Sequence, residues 1–98
     1  MSLSDGDIAF ARDLFADLGN VTHRKMFGGM CLYHDGTVFA LQSSDGQLYL
    51  KTRDPAAHFG AVTAQFHSMP YYAIPDDLLD DPVAACDEAR KVLAILNA

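Results

Sequence analysis

Cys31, Cys86, His23, His34, His58 and His67 are the side chains of this chain best suited to holding a metal, and their spacing argues against it. Cys31 and His34 lie three apart in a stretch that reads as a strand. Successive strand residues alternate between faces, so these two point to opposite sides. His23, His58 and His67 have no ligand spacing to one another, whereas zinc needs three or four converging side chains. Neither a metal nor a cofactor is expected. Nucleophilic catalysis fares no better. There is no GxSxG elbow. Cys31 sits among apolar strand neighbours and Cys86 on a helical stripe, so both read as structural thiols. Asp76, Asp77, Asp80 and Asp81 could do acid–base or metal work as paired carboxylates. They flank a helix start, however, where capping and solvation account for them. Gly28-Gly29, beside Arg24 and Lys25, could cradle a phosphate. The lysine and hydroxyl of a P-loop and the spacing of a dinucleotide fingerprint are missing. A bulge or bend that redirects the chain is the better reading. No catalytic residue is assigned, and the chain is not read as an enzyme.

The elements that would position these residues follow from period and punctuation. Ser4 as N-cap with Asp7 three residues on predicts a helix over Ser4–Leu18 with Ile8, Ala11, Leu14, Phe15 and Leu18 on one face. Gly19-Asn20 ends it. Val21–Met26 reads as a short strand. Asp35-Gly36 and Asp45-Gly46, each between strand-like runs, predict two tight hairpins and a three-stranded antiparallel meander. Two-residue turns would set Leu32 opposite Phe39, Met30 opposite Leu41 and Leu50 opposite Leu41. One face then carries Met30, Leu32, Phe39, Leu41, Leu48 and Leu50. The other carries Cys31, Tyr33, Val38, Ala40, Gln42, Tyr49 and Lys51, and is free to meet water or a partner. Asp54-Pro55 opens a short helix to about Val62. The Met69–Pro75 run reads as a proline-bounded edge strand, and Asp76–Asp80 as one helical turn. Asp81-Pro82 starts a last helix to about Leu96, with Val83, Cys86, Ala89, Arg90, Leu93 and Leu96 as its stripe and Arg90 snorkelling.

With 98 residues, half of them apolar and a fifth charged, a single α+β domain spanning residues 1–98 is expected. A thin core makes a homodimer a natural supplement. No long apolar run suggests a membrane span, and the start shows no basic segment leading into an apolar one, so a cytoplasmic chain with reduced thiols is expected. The net charge of −6 repels polyanions and argues against direct nucleic-acid binding. The charge is uneven: Arg24, Lys25, Lys51 and Arg53 make the middle mildly basic between acidic flanks. Tyr33, Tyr49, Tyr71 and Tyr72 beside Lys51 and Arg53 superficially look like a base-stacking sheet. Packing in or beside the core explains them better, given the acidic balance.

Arg24-Lys25-Met26-Phe27-Gly28-Gly29-Met30, then Leu32-Tyr33, Asp35-Gly36, Phe39-Ala40, Leu48-Tyr49-Leu50-Lys51 and the run Met69–Asp81 together resemble the N-terminal domain of the TfoX family, also called Sxy. The resemblance spans roughly residues 8 to 96. It implies an antiparallel sheet with N- and C-terminal helices, in a fold related to small secretion chaperones, and an association with regulating competence genes for DNA uptake in bacteria. Longer members add a domain of helix-hairpin-helix character, and none is expected within these residues. The Ala64–Ser68 segment is shorter than the basic loop the family suggests at that place. The resemblance supplies no catalytic residues.

A non-enzymatic regulatory module is therefore expected, working through a protein partner such as a DNA-bound transcription activator, or through self-association. Its candidate interaction surface is Arg24, Lys25, Tyr33, Gln42, Tyr49 and Lys51. The alternatives are a nucleic-acid-binding module using the basic middle, and a small-ligand domain with a pocket near Gly28-Gly29 and the histidines.

Overall fold

The computed structural model describes residues 3–26 and 28–97; Phe27 of the glycine motif lies outside them. Along the chain run α1 (Asp5–Leu14), a 3-10 turn (Ala16–Leu18), β1 (Val21–Met26), β2 (Gly29–His34), β3 (Thr37–Gln42) and β4 (Leu48–Lys51). Then follow α2 (Pro55–Phe59), β5 (Tyr71–Ala73), α3 (Asp76–Leu79) and α4 (Pro82–Leu96). The five strands form one open sheet in the order β1-β2-β3-β4-β5, every pairing antiparallel. This is the α+β architecture expected, with the meander extended by a strand at each edge.

Turn chemistry sets the first hairpins. Asp35 and Gly36 adopt φ of 49° and 83°, the positive pair that a tight turn matched to strand twist requires. Gly28-Gly29 marks the bend expected there: Gly28 lies in the connection from β1 and Gly29 opens β2, paired with Met26. Gly29 also lies hard against β3, where an added Cβ would sit 2.4 Å from the Gln42 carbonyl oxygen.

The register differs from a simple reading of the turns. Leu32 faces Ala40, Cys31 faces Leu41 and Met30 faces Gln42, because a β-bulge in β3 inserts Phe39 between the Leu32 and Tyr33 pairings. Phe39 and Ala40 consequently both enter the core, fully buried. From there Leu41 turns to the opposite face, while Gln42 turns inward. The second turn carries one more residue than expected. The Ser43 N–H donates to the Gln47 carbonyl and the Gly46 N–H to the Ser43 carbonyl, both at 2.9 Å, with Gly46 at φ 92°. Leu41 therefore pairs with Tyr49 rather than Leu50. The two one-residue departures cancel, so Leu48 and Leu50 still face the core.

The helices cover one face only. Ser4 Oγ accepts the Asp7 N–H while the Asp7 carboxylate accepts the Ser4 N–H, closing the expected capping box. The α-helix stops at Leu14, earlier than expected, and the 3-10 turn that follows places both Leu14 and Phe15 inside. Phe15 meets Phe39 edge-to-face at 5.1 Å. Asp54 caps α2, which ends at Gly60 in the left-handed conformation instead of continuing to Val62. The buried stripe of α4 is Ala85, Cys86, Ala89, Val92 and Leu93. Val83, expected on it, is exposed. Arg90 is half exposed, pairing with Asp87 and donating to the Asp17 carbonyl.

Replacing Gly29 by alanine drives a methyl into the β3 backbone, which no rotamer change relieves. A loss of about 1–3 kcal/mol is expected, read as a lowered urea midpoint. A Gly6→Ala control has open space at its site (nearest atom 3.7 Å away), so its midpoint should not fall.

Candidate interaction face

The sheet face away from the helices builds its own small apolar cluster. Cys31, Leu41 and Tyr71 are buried there, with Met26, Tyr33, Val38, Tyr49 and Phe66 packed around them. Every strand contributes to the set, β3 through its bulge as well as by alternation, and Phe66 comes from the segment after α2. The segment 61–69 folds back over one side as a flap. Its backbone is tied to β5: the Phe66 N–H donates to the Tyr71 carbonyl and the Ala73 N–H to the Ala64 carbonyl, both at 2.8 Å. Thr63 Oγ1 donates to the Ala73 carbonyl at 2.6 Å. Phe66 then lies over Tyr49, ring centroids 5.1 Å apart.

Between this flap and the β1–β3 half of the sheet lies a cleft of about 550 Å³. Its walls are mainly Met26, Cys31, Tyr33, Val38, Leu41 and Phe66, with Met69, His67 and Tyr71 along the flap side. Among the described residues no Asp, Glu, Lys or Arg lines it. The Cys31 thiol donates to Met26 Sδ at 3.7 Å. Burial pushes the Cys31 thiol pKa upward, with Lys51 opposing, so the thiol stays protonated. Burial likewise raises the Tyr71 phenol, helped by Cys31 and Tyr33. Neither group is set up as a nucleophile.

Two cations flank the cleft. Arg24 stands directly across from Cys31, and Lys51 directly across from Tyr71. They are the only charged residues that strand alternation places on this face among the described residues. Lys25 is adjacent to Arg24 but alternates to the other side, opposite Met30. None of the ion pairs among the described residues involves Arg24, Lys25, Lys51 or Arg53. By contrast Arg90 and Lys91, on the acidic C-terminal helix, are each paired.

The expected surface residues are thus only partly brought together. Arg24, Tyr33, Tyr49 and Lys51 share the face, although Phe66 covers part of Tyr49. Gln42 does not belong there. The bulge turns it inward, where it is 1% exposed and its Nε2 donates to the Asp7 and Gly46 carbonyls at 3.1 Å. Leu41 takes the place expected for it. Phe66 and Met69 reach the face through a fold-back that no local turn signal in residues 61–69 marks. The histidines scatter: His58 meets Glu88 at 3.2 Å between α2 and α4, His34 lies 3.7 Å from Asp35, and His23 sits by Arg12. Among the described residues no three His, Cys, Asp or Glu side chains gather as metal ligands. Nor is any described helix long and apolar enough to cross a membrane.

An open antiparallel sheet with helices on one face, and a small cleft with flanking cations on the other, defines a compact α+β domain without a catalytic constellation among its described residues. The TfoX N-terminal domain matches residues 13–95, and the chain belongs to that competence-regulator-like family. It is similar to protein Sxy of Escherichia coli K12, 40% identical over 58 residues. That similarity covers 59% of this chain and 27% of the relative's length.

The raised pKa values of Cys31, Cys86 and Tyr71 make stability pH-dependent. The folded chain holds these protons after the unfolded chain begins to release them, so it binds more protons and loses stability as pH rises. Stability is expected to be flat up to about pH 8 and to fall from about pH 8.5 upward. Urea midpoints across that range should show a shallower fall in the Cys31→Ala/Cys86→Ala variant; an unchanged slope would remove the thiols from the account.

Proposed function

We propose that this domain is a non-enzymatic regulatory module acting on competence-gene transcription through a protein partner held on the helix-free sheet face. The supporting observation is the cleft: apolar walls, an exposed mouth, and Arg24 and Lys51 beside it with no ion-pair partner among the described residues. Water-exposed apolar concavities on small domains mark contact sites, and aromatic side chains dominate the energetics of such contacts. Tyr33 is half-buried at the cleft's outer wall and also borders a neighbouring groove with Arg24 and Gly36. It can therefore contact a partner without serving the main core. Self-association through the same face is the homodimeric form of this proposal.

Tyr33→Ser is expected to keep the fold, with a melting temperature within a few degrees of the parent. It should lose partner capture from the native cell, or dimerisation where that occurs in sedimentation. Tyr49→Ser should also weaken the flap, by about 0.5–1.5 kcal/mol for its lost aromatic pair. Capture and sedimentation unchanged in Tyr33→Ser would sink the proposal.

A further inference from the structure

We infer that the partner of this face is an acidic amphipathic protein segment, which seats apolar side chains in the Met26–Leu41–Phe66 cleft and sets carboxylates against Arg24 and Lys51. The inference rests on the protein-contact role proposed above and adds the partner's chemistry.

Three observations choose this occupant. Among the described residues the cleft wall carries no Asp, Glu, Lys or Arg, so the buried part of the occupant must be apolar, because an unpaired charge brought there would lose its hydration without compensation. Met26 and Met69 in that wall suit an apolar body of adaptable shape. The charges that strand alternation places on the face are both positive, in a chain whose net charge is −6. Each is the cross-strand neighbour of a cleft residue, Arg24 of Cys31 and Lys51 of Tyr71. The protein's own acids leave them unpaired, although they outnumber the cations. Complementary charge around an apolar centre selects partners and speeds encounter.

The size of the patch separates this occupant from nucleic acid. A polyanion draws its affinity from neutralising many phosphates, and this face offers two cations in a chain of net charge −6. A short acidic segment ends where the patch ends. A second copy of the chain would bring like-charged faces together if the two faces met directly.

The test uses the full chain and two short amphipathic peptides, with leucines at helical spacing and either glutamates or lysines elsewhere. The glutamate peptide should bind the parent more tightly than its lysine twin and shift the amide resonances of Cys31, Leu41, Phe66 and Tyr71. Its affinity should fall as salt rises. In Arg24→Glu/Lys51→Glu the preference should reverse, with the glutamate peptide weakened about tenfold or more. Arg24→Glu alone, on an exposed strand residue, carries the same test at reduced size if the double variant does not fold. Equal affinity for both peptides, or a preference that the variant keeps, overturns the inference. So does tighter, displacing binding of decanoate or of a single-stranded oligonucleotide at the same resonances. If Tyr33→Ser abolishes cellular capture while the charge-swapped variant captures normally, protein contact stands and the acidic partner falls. If neither variant affects capture, both fall.

Discussion

The bulge at Phe39 is the constraint on which the rest of this structure depends. One inserted residue in β3 sends two consecutive side chains, Phe39 and Ala40, into the same core. A regular strand would bury only one of them. Phe39 provides the ring that Phe15 meets edge-to-face, and Ala40 leaves room beside it for the helices. Past the bulge the alternation is inverted. Gln42 goes inward to tie the first turn of α1 to the β3–β4 loop, and Leu41 goes outward to the second cluster. Without that inversion the second face would carry Gln42 in place of Leu41, and the cleft would lose an apolar wall.

The domain therefore divides its apolar residues unequally. The helix side holds a continuous core drawn from α1, α4 and four strands, and supplies most of the burial that opposes chain entropy. The other side holds a satellite cluster under a flap that hangs from β5, mostly by backbone bonds. Few main-core contacts depend on the flap. Changes to the flap therefore leave most of the main core in place, whereas changes to β3 reach both layers at once.

How much of this was legible follows from which signals are local. The capping box, the Asp-Pro helix starts, the Asp35-Gly36 turn and the proline-bounded edge strand are written in adjacent residues, and they appear where the sequence places them. The bulge is not local. Nothing in Thr37–Gln42 distinguishes a regular strand from a bulged one; the choice is made by what Phe39 and Ala40 find across the core. The same holds for the longer second turn, where Asp45 accepts from the Ser43 hydroxyl and the Gln47 N–H in a loop that Asp-Gly alone does not specify. Two errors of one residue cancelled, so the expected apolar face was right at Leu48 and Leu50 and wrong at Leu41. The Asp35-Gly36 turn has the expected two residues, so the departure there comes from the bulge, whereas the departure at Asp45-Gly46 comes from the loop itself. For the site, Arg24, Tyr33, Tyr49 and Lys51 follow from alternation alone. Phe66 and Met69 arrive through a fold-back that only long-range pairing with β5 dictates.

The charge distribution completes the logic of the two faces. A chain this acidic could have neutralised its few cations internally, and it does so on α4, where Arg90 and Lys91 lie one turn from Asp87 and Glu88. The strand cations have no such neighbours. Alternation separates Arg24 from Lys25, and most acids of the flanks lie in or beside α1, α3 and α4. None of those carboxylates forms an ion pair with Arg24 or Lys51 among the described residues. The same layering that gives the protein its core thus leaves a small positive field on the face the helices do not cover, beside a cleft with no Asp, Glu, Lys or Arg among its described lining residues. Exposed pairs are worth little in water. A carboxylate brought in by a partner whose apolar side chains displace water from the cleft meets these cations at lower effective dielectric, where the same pair is worth more.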